Sequence, residues 1–135
     1  YNEGYFDEKY LLKAKKPLIF INVTRGEIAP EATLLKLYRE GKITGIAADV
    51  FSQEAELTDY LRANDFTGCR NENILAAKEI IDEALSRKSN FYVQPHQGFN
   101  SDIAAKTKAA EAMNHVVFWL NNGKDHFKEQ LPYYK

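Results

Sequence analysis

The chain has 135 residues, a length that fits one domain and is sufficient to bury a core. Its formal net charge is −1 and it has no basic block, which argues against a nucleic-acid partner. The single cysteine, Cys69, excludes an internal disulfide bond and favours a reducing compartment. No apolar run approaches about 18 residues and no secretory leader is visible, so we expect a soluble cytoplasmic protein without a membrane partner. Because the chain begins at Tyr1, we expect it to be a fragment of a longer protein.

The first predicted element is a short helix that begins after Phe6. Asp7 is a suitable N-cap, and Tyr10 and Leu11 follow at helical positions. The basic stretch at 13–16 and the following Pro17 end this helix.

The central part of the chain, residues 19–54, predicts a strand, a helix and a second strand. The near-continuous apolar run at 18–23 is typical of a strand that is covered on both faces. Pro30 opens a helix over 31–40, and Gly41 ends it. Its apolar side consists of Leu34, Leu35, Leu37 and Tyr38. A second apolar run leads to Asp49, and two strands joined by one helix predict a right-handed crossover between parallel neighbours.

The second half of the chain predicts further helices and one short strand. A polar segment at 55–63 has helical tendency, and Asn73 is the expected cap of a helix over 73–88. A short strand at 91–94 follows, and Ser101 or Asp102 caps the longest helix, which Gly123 ends. The tail contains apolar side chains that need cover from another domain or subunit: Phe127, Leu131, Tyr133 and Tyr134.

Ionisable residues follow all three predicted strands. Arg25 follows the first strand, Asp49 and Glu54 the second, and His96 the third. Each has an ordinary interpretation, as a solvated turn residue, a helix cap, a first-turn acid or a structural histidine. Parallel sheets, however, bind ligands outside the carboxyl ends of their strands, where all four residues fall. We therefore expect a site at this edge, in which a histidine and a carboxylate perform acid–base chemistry.

The residue types at this edge suit a particular reaction. A planar guanidinium binds a carboxylate through two hydrogen bonds, which orients a 2-oxo or 2-hydroxy acid. A histidine exchanges a proton near neutral pH, and a carboxylate bound to the ring fixes its orientation. Reduction of a ketone also needs a hydride, which no side chain supplies, so a nicotinamide would have to supply it.

These residues carry a family resemblance. The run NVTRGEIAPEATLLKLYREGKITGIAADVF at 22–51, together with Glu54 and the later QPHQG at 94–98, resembles the D-isomer-specific 2-hydroxyacid dehydrogenases. The similarity extends from about residue 6 to residue 123 and is greater to the D-lactate dehydrogenase branch. It implies an α/β fold, with a partial Rossmann-like, doubly wound parallel sheet and a long C-terminal helix. Residues 1–135 would be the C-terminal part of a dinucleotide-binding domain plus its return helix.

The resemblance also implies functional roles. It implies interconversion of 2-oxo acids and D-2-hydroxy acids with NAD(H), with Arg25 as the clamp for the substrate carboxylate. His96 would be the acid/base and Glu54 its partner. The residues that would contact the cofactor are Thr24, Arg25, Asp49 and Gly98. No metal is implied, and the full-length protein would be a homodimer that acts on a small-molecule acid.

The chain lacks one motif of the family, the glycine-rich sequence that binds the pyrophosphate of the cofactor. Its seven glycines nowhere form G-x-G, so the pyrophosphate site is absent from this chain, which we expect to be inactive alone. The choice between NAD and NADP stays open, because the ribose-binding region is also missing. Two alternatives remain: a corepressor-like or regulatory protein built on the same fold, and an α/β domain whose charges are ordinary surface residues.

Overall fold

The computed structural model describes residues 2–98 and 100–124 of the chain. Its elements are α1 (Glu8–Leu11), β1 (Leu18–Asn22), a 3-10 helix (Gly26–Ile28), α2 (Glu31–Arg39), β2 (Ile43–Ala48), α3 (Glu54–Ala63), α4 (Glu72–Leu85), β3 (Phe91–Val93) and α5 (Asp102–Asn121). The described residues up to Gln97 form one compact unit, and the described residues from Gly98 to Lys124 belong to a second. The aromatic tail, 125–135, lies outside the described residues.

In the described residues the sheet has three parallel strands, in the order β1-β2-β3. At the carboxyl ends of the strands, Asn22 pairs with Ala48, and Ala48 pairs with Val93. Helix α2 connects β1 to β2, while α3 and α4 together connect β2 to β3. The predicted α/β class, the βαβ unit and the long C-terminal helix are confirmed, and all three strands end at one edge.

Helices α2 and α4 pack against one face of this sheet. Phe20, Ile46 and Phe91, one from each strand, are buried with Leu37 of α2 and Ile80 of α4. Removal of these apolar surfaces from water is the main driving force for this arrangement. A second cluster lies around the start of α3 and α4: Ala48, Phe51, Leu57, Cys69, Ile74 and Ala77.

The other face of β1 differs from the prediction. Ile19, Ile21 and Val23 are 61%, 66% and 64% exposed, whereas Phe20 between them is 7% exposed. The expectation of a strand covered on both faces is therefore wrong for the described residues. In the first unit, α2 and α4 both pack on the Phe20 face, and the opposite face of β1 is left exposed.

The helix caps are confirmed for α1 and corrected for α4. Asp7 caps α1 as predicted. Helix α4 is capped by Asn71, not by the predicted Asn73. Asn73 Oδ1 instead accepts a hydrogen bond from the backbone N–H of Ala32 at 3.1 Å, in the first turn of α2. The residue before α2 is Pro30, which has no capping side chain, so the neighbouring helix supplies the acceptor.

Helix α5 belongs to the second unit. Ser101 is its cap and accepts from the backbone N–H of Ala104 at 3.2 Å, and Gly123 ends it at a φ of 74°. Apolar side chains along this helix are exposed, among them Ile103 and Met113 at 79% and 62% exposure. Within the described part of the chain, neither α5 nor any other helix combines the length and apolar character that a membrane crossing requires.

Candidate active site

The turn after β1 is organised by a buried asparagine. Asn22 Oδ1 accepts hydrogen bonds from the backbone N–H and the hydroxyl of Thr24, both at 3.1 Å. Its Nδ2 donates to the carbonyl of Arg25 at 2.8 Å. Asn22 therefore fixes the backbone of the predicted residues Thr24 and Arg25. The sequence analysis missed this role, although a polar residue at the end of an apolar strand is a usable signal.

Gly26 packs directly against the loop between β2 and α3. A Cβ atom at this position would lie 1.9 Å from the carbonyl carbon of Phe51 and 2.1 Å from the backbone nitrogen of Ser52. Only glycine allows two backbones to approach this closely. The contact joins the turn that contains Arg25 to the loop that leads to Glu54.

Asp49 is buried at the end of β2 and holds the segment that follows β3. Its carbonyl accepts from the backbone N–H of His96 at 2.8 Å, and its Oδ1 accepts from the backbone N–H of Gln97 at 2.7 Å. His96 has a φ of 54°, in the left-handed region that non-glycine residues rarely adopt. The two hydrogen bonds to Asp49 offset the cost of this conformation and fix the position of His96.

Glu54 is the first residue of α3 and binds His96. Glu54 Oε2 lies 2.9 Å from His96 Nδ1, and Glu54 Oε1 accepts from the backbone N–H of Phe51 at 3.2 Å. A hydrogen bond from His96 to a carboxylate that only accepts would place the hydrogen on Nδ1. The predicted contact between Glu54 and His96 is confirmed.

The pair lines a cleft of about 370 Å³. The apolar walls of the cleft include Phe51, Leu57, Leu61, Ile81, Leu85 and Val93. Apolar surroundings strengthen polar contacts because they reduce competition from water. The Glu54 and His96 side chains are 39% and 42% exposed, so a small molecule can still reach them.

The structure brings together three of the predicted residues, Asp49, Glu54 and His96. In the described residues, Arg25 donates from Nη1 to the carbonyl of the residue before it, at 2.9 Å, and not to Glu54 or His96. The Arg25 side chain is exposed. Its connection to the other three residues is through the backbone, because Gly26 packs against the loop that leads to Glu54. Gly98 is exposed and begins the second unit. Residues 2–98 and 100–124 contain no group of His, Cys, Asp and Glu suited to hold a metal ion.

A buried carboxylate that the sequence analysis missed lies beside the same loop. Glu31, at the start of α2, is 3% exposed, and its Oε1 accepts from the backbone N–H of Ser52 at 2.6 Å. Its Oε2 accepts from the Ser52 hydroxyl. Burial raises the pKa of Glu31, and the hydrogen bonds from Ser52 oppose this rise. No spacing in the sequence relates positions 31 and 52, which lie in separate elements.

Residues 1–98 match the family model described as D-isomer specific 2-hydroxyacid dehydrogenase, NAD binding domain. The chain belongs to this family. The matched domain is an NAD-binding domain, so NAD is its cofactor.

Curated relatives agree with this assignment. The D-lactate dehydrogenase of Staphylococcus epidermidis is 29% identical over 119 residues, which cover 87% of this chain and 33% of the relative. The 2-hydroxyacid dehydrogenase homolog 1 of Schizosaccharomyces pombe is 28% identical over 123 residues, covering 91% and 34%. The chain thus spans about a third of the length of these relatives, several of which are D-lactate dehydrogenases.

Solved structures show the same Rossmann-like fold. D-2-hydroxyisocaproate dehydrogenase superposes with a TM-score of 0.73 at 20% identity, over 93% of this chain and 35% of that one. D-lactate dehydrogenase from Aquifex aeolicus, solved with NAD and lactic acid, gives 0.66 at 24% identity, over 96% and 38%.

Proposed function

We propose that this chain is part of an NAD-dependent D-2-hydroxyacid dehydrogenase and contains its acid–base residues. Residues 1–135 would form the C-terminal part of the NAD-binding domain plus the helix that returns to the substrate domain. The observation that carries the proposal is the 2.9 Å contact between Glu54 and His96 at the carboxyl edge of a parallel sheet. Family membership and the D-lactate dehydrogenase relatives support a small 2-oxo acid as the substrate.

His96 transfers the proton, and Glu54 orients the imidazole ring. During reduction, His96 donates a proton from Nε2 to the carbonyl oxygen of the 2-oxo acid, which becomes the hydroxyl of the product. Glu54 holds Nδ1 and so directs Nε2 toward the substrate. In the oxidation direction, His96 takes the same proton back from the hydroxyl.

Arg25 binds the carboxylate of the substrate in this proposal. Its guanidinium is exposed and hydrogen-bonded to one carbonyl, so it can turn to a ligand at little cost. Two parallel hydrogen bonds from a guanidinium would fix the acid in one orientation, with its carbonyl oxygen toward His96.

The acceptors at this edge fit the nicotinamide end of NAD. Asp49 and the carbonyls of Thr24 and Arg25 would provide oxygen atoms for a carboxamide, and the family resemblance implies Gly98 as a further cofactor contact. When bound, NADH supplies the hydride that reduces the carbonyl carbon. Because no G-x-G occurs in the sequence, we expect that the chain alone neither binds NAD tightly nor turns over substrate.

The full-length protein is proposed to act on small 2-oxo and 2-hydroxy acids in the cytoplasm. It would be a homodimer with no nucleic-acid partner. The regulatory alternative on the same fold predicts partner binding without reduction of 2-oxo acids, so one assay separates the two.

The test uses the intact protein that contains this chain. NADH oxidation is followed with pyruvate and with longer 2-oxo acids, and the chirality of the product is determined. We expect reduction to the D-2-hydroxy acid, and no reduction of a matched ketone that lacks the carboxylate. An L product, or no reduction of any 2-oxo acid, would contradict the proposal.

A further inference from the structure

We propose that Glu31 is a positioning residue that aligns Glu54 with His96. It acts through Ser52 and the Phe51 peptide, without touching the reacting atoms. The proposal rests on the proposed function, because it assumes that the Glu54–His96 pair performs the acid–base step.

The first step is the contact between Glu31 and Ser52. Both residues are buried, at 3% and 8% exposure. A buried carboxylate is costly unless hydrogen bonds satisfy it, and Glu31 accepts one bond at each oxygen, from the backbone and from the hydroxyl of Ser52. The start of α2 is therefore tied to one residue of the β2–α3 loop.

The second step is the immobilisation of the peptide that joins Phe51 to Ser52. Glu31 holds the nitrogen of this peptide, and Gly26 lies against its carbonyl group, where a Cβ would be 2.1 Å from the carbonyl oxygen. The peptide is thus held both by a hydrogen bond and by a close backbone contact. Its displacement requires the loss of one or both.

The third step leads from this peptide, through the Cα atom of Phe51 to the N–H of the preceding peptide, and from there to the pair. The backbone N–H of Phe51 donates to Glu54 Oε1, while Glu54 Oε2 holds His96 Nδ1. The position of Phe51 therefore sets the orientation of the carboxylate that orients the imidazole. A misplacement of about 1 Å transmitted to reacting groups can cost about 10²-fold in rate, which makes this chain of contacts relevant to turnover.

The ordinary interpretation is that Glu31 only stabilises the first turn of α2. An acid there interacts favourably with the helix dipole, but an exposed side chain would do so without the cost of burial. Asn73 provides a matched control, because it accepts a hydrogen bond from the backbone N–H of Ala32 in the same turn, whereas the side-chain acceptor of Ser52 is Glu31. Loss of either residue weakens the start of α2, whereas only loss of Glu31 releases the loop.

The test compares Glu31→Ala, Glu31→Gln, Ser52→Ala and Asn73→Ala in the intact protein. Turnover, NADH affinity and the proton resonance of His96 Nδ1–H are measured. We expect Glu31→Ala to lower kcat by about 10- to 100-fold and to weaken the resonance, with NADH affinity within about threefold. Glu31→Gln should restore kcat to within about threefold, because its amide accepts from the Ser52 nitrogen and donates to the hydroxyl. Asn73→Ala should leave kcat and the resonance unchanged.

Two results would overturn the inference. One is a folded Glu31→Ala protein with normal kcat and a normal His96 resonance. The other is an equal loss of kcat in Asn73→Ala, which would assign the effect to helix stability. If Glu31→Ala does not fold, Ser52→Ala becomes the test variant. We expect it to lose kcat several-fold, and an unchanged kcat would contradict the positioning role of Glu31. Absence of 2-oxo acid reduction by the wild type would instead defeat the proposed function, and the resonance would still report the positioning.

Discussion

Three buried polar side chains hold the loops at the carboxyl edge of the sheet: Asn22, Glu31 and Asp49. Each is at most 5% exposed, and each accepts a backbone N–H from a neighbouring turn. In the described residues, no buried side-chain nitrogen or oxygen lacks a hydrogen-bond partner. Because a buried polar group without a partner is costly, these contacts define one loop arrangement, and the more exposed Arg25, Glu54 and His96 are placed by them.

Arg25→Lys in the intact protein tests the carboxylate clamp. Lysine keeps the charge but loses the planar pair of donors, so the acid should be held less firmly. We expect kcat/KM for the 2-oxo acid to fall by about tenfold or more, with NADH affinity much less affected. The exposed Arg70→Lys is the control and should change both by less than about threefold. Equal losses of both quantities in Arg25→Lys would mean that Arg25 supports the fold or the cofactor site.

Glu31→Gln should change how stability depends on pH. Burial raises the pKa of Glu31 in the folded protein, so its protonated form is favoured there. The contribution of wild-type Glu31 to the free energy of unfolding is complete below the usual glutamate pKa and is lost as pH rises through the raised value. Glutamine does not titrate. Urea unfolding at several pH values should show wild type losing stability relative to Glu31→Gln with rising pH, and a flat or opposite difference would contradict this.

At the scale of the elements, periodicity and capping residues predicted most of the fold. Apolar spacing located β1, α2 and β2, and the strand exits located Asp49, Glu54 and His96, because strand ends in a parallel sheet share an edge. Spacing did not reveal that one face of β1 is exposed, since coverage depends on where helices pack. Sequence spacing also did not predict the contact between Glu31 and Ser52, because tertiary packing brings the start of a helix against a distant loop.

Gly26→Ala tests the close approach of the β1 turn and the β2–α3 loop. The new Cβ would overlap the Phe51–Ser52 peptide, so the loop must move away. We expect a loss of about 1–3 kcal/mol in the free energy of unfolding, with a drop in turnover. Gly68→Ala is the control, because a Cβ at this position would meet no atom within 4 Å, and it should stay within about 0.5 kcal/mol. Equal effects of the two substitutions would contradict the tight contact.

At the scale of the whole molecule, the described part of the chain leaves apolar surface and a strand edge uncovered. β1 is an edge strand of the sheet, and Ile19, Ile21 and Val23 on or beside it are each more than 60% exposed. Edges of this kind pair with other chains unless they are blocked. An additional element or a second copy would bury this surface.

The isolated 135-residue chain should therefore self-associate. Sedimentation over a range of concentrations should show species larger than the monomer, and Ile21→Glu should shift the distribution toward the monomer. Leu85→Glu is the matched control, because Leu85 is 76% exposed but lies on α4. A chain that stays monomeric at every concentration would contradict the prediction, as would equal effects of both substitutions.

In the proposed function, His96, oriented by Glu54, transfers the proton in reduction of a 2-oxo acid. The most direct measurement is the kcat of His96→Ala in the intact protein, beside its NADH affinity. His115→Ala provides the matched control, since it removes a partly exposed histidine from α5. We predict that His96→Ala lowers kcat by about 10²- to 10⁴-fold with little change in NADH affinity, and that His115→Ala keeps normal turnover. Near-normal turnover of His96→Ala would contradict the claim.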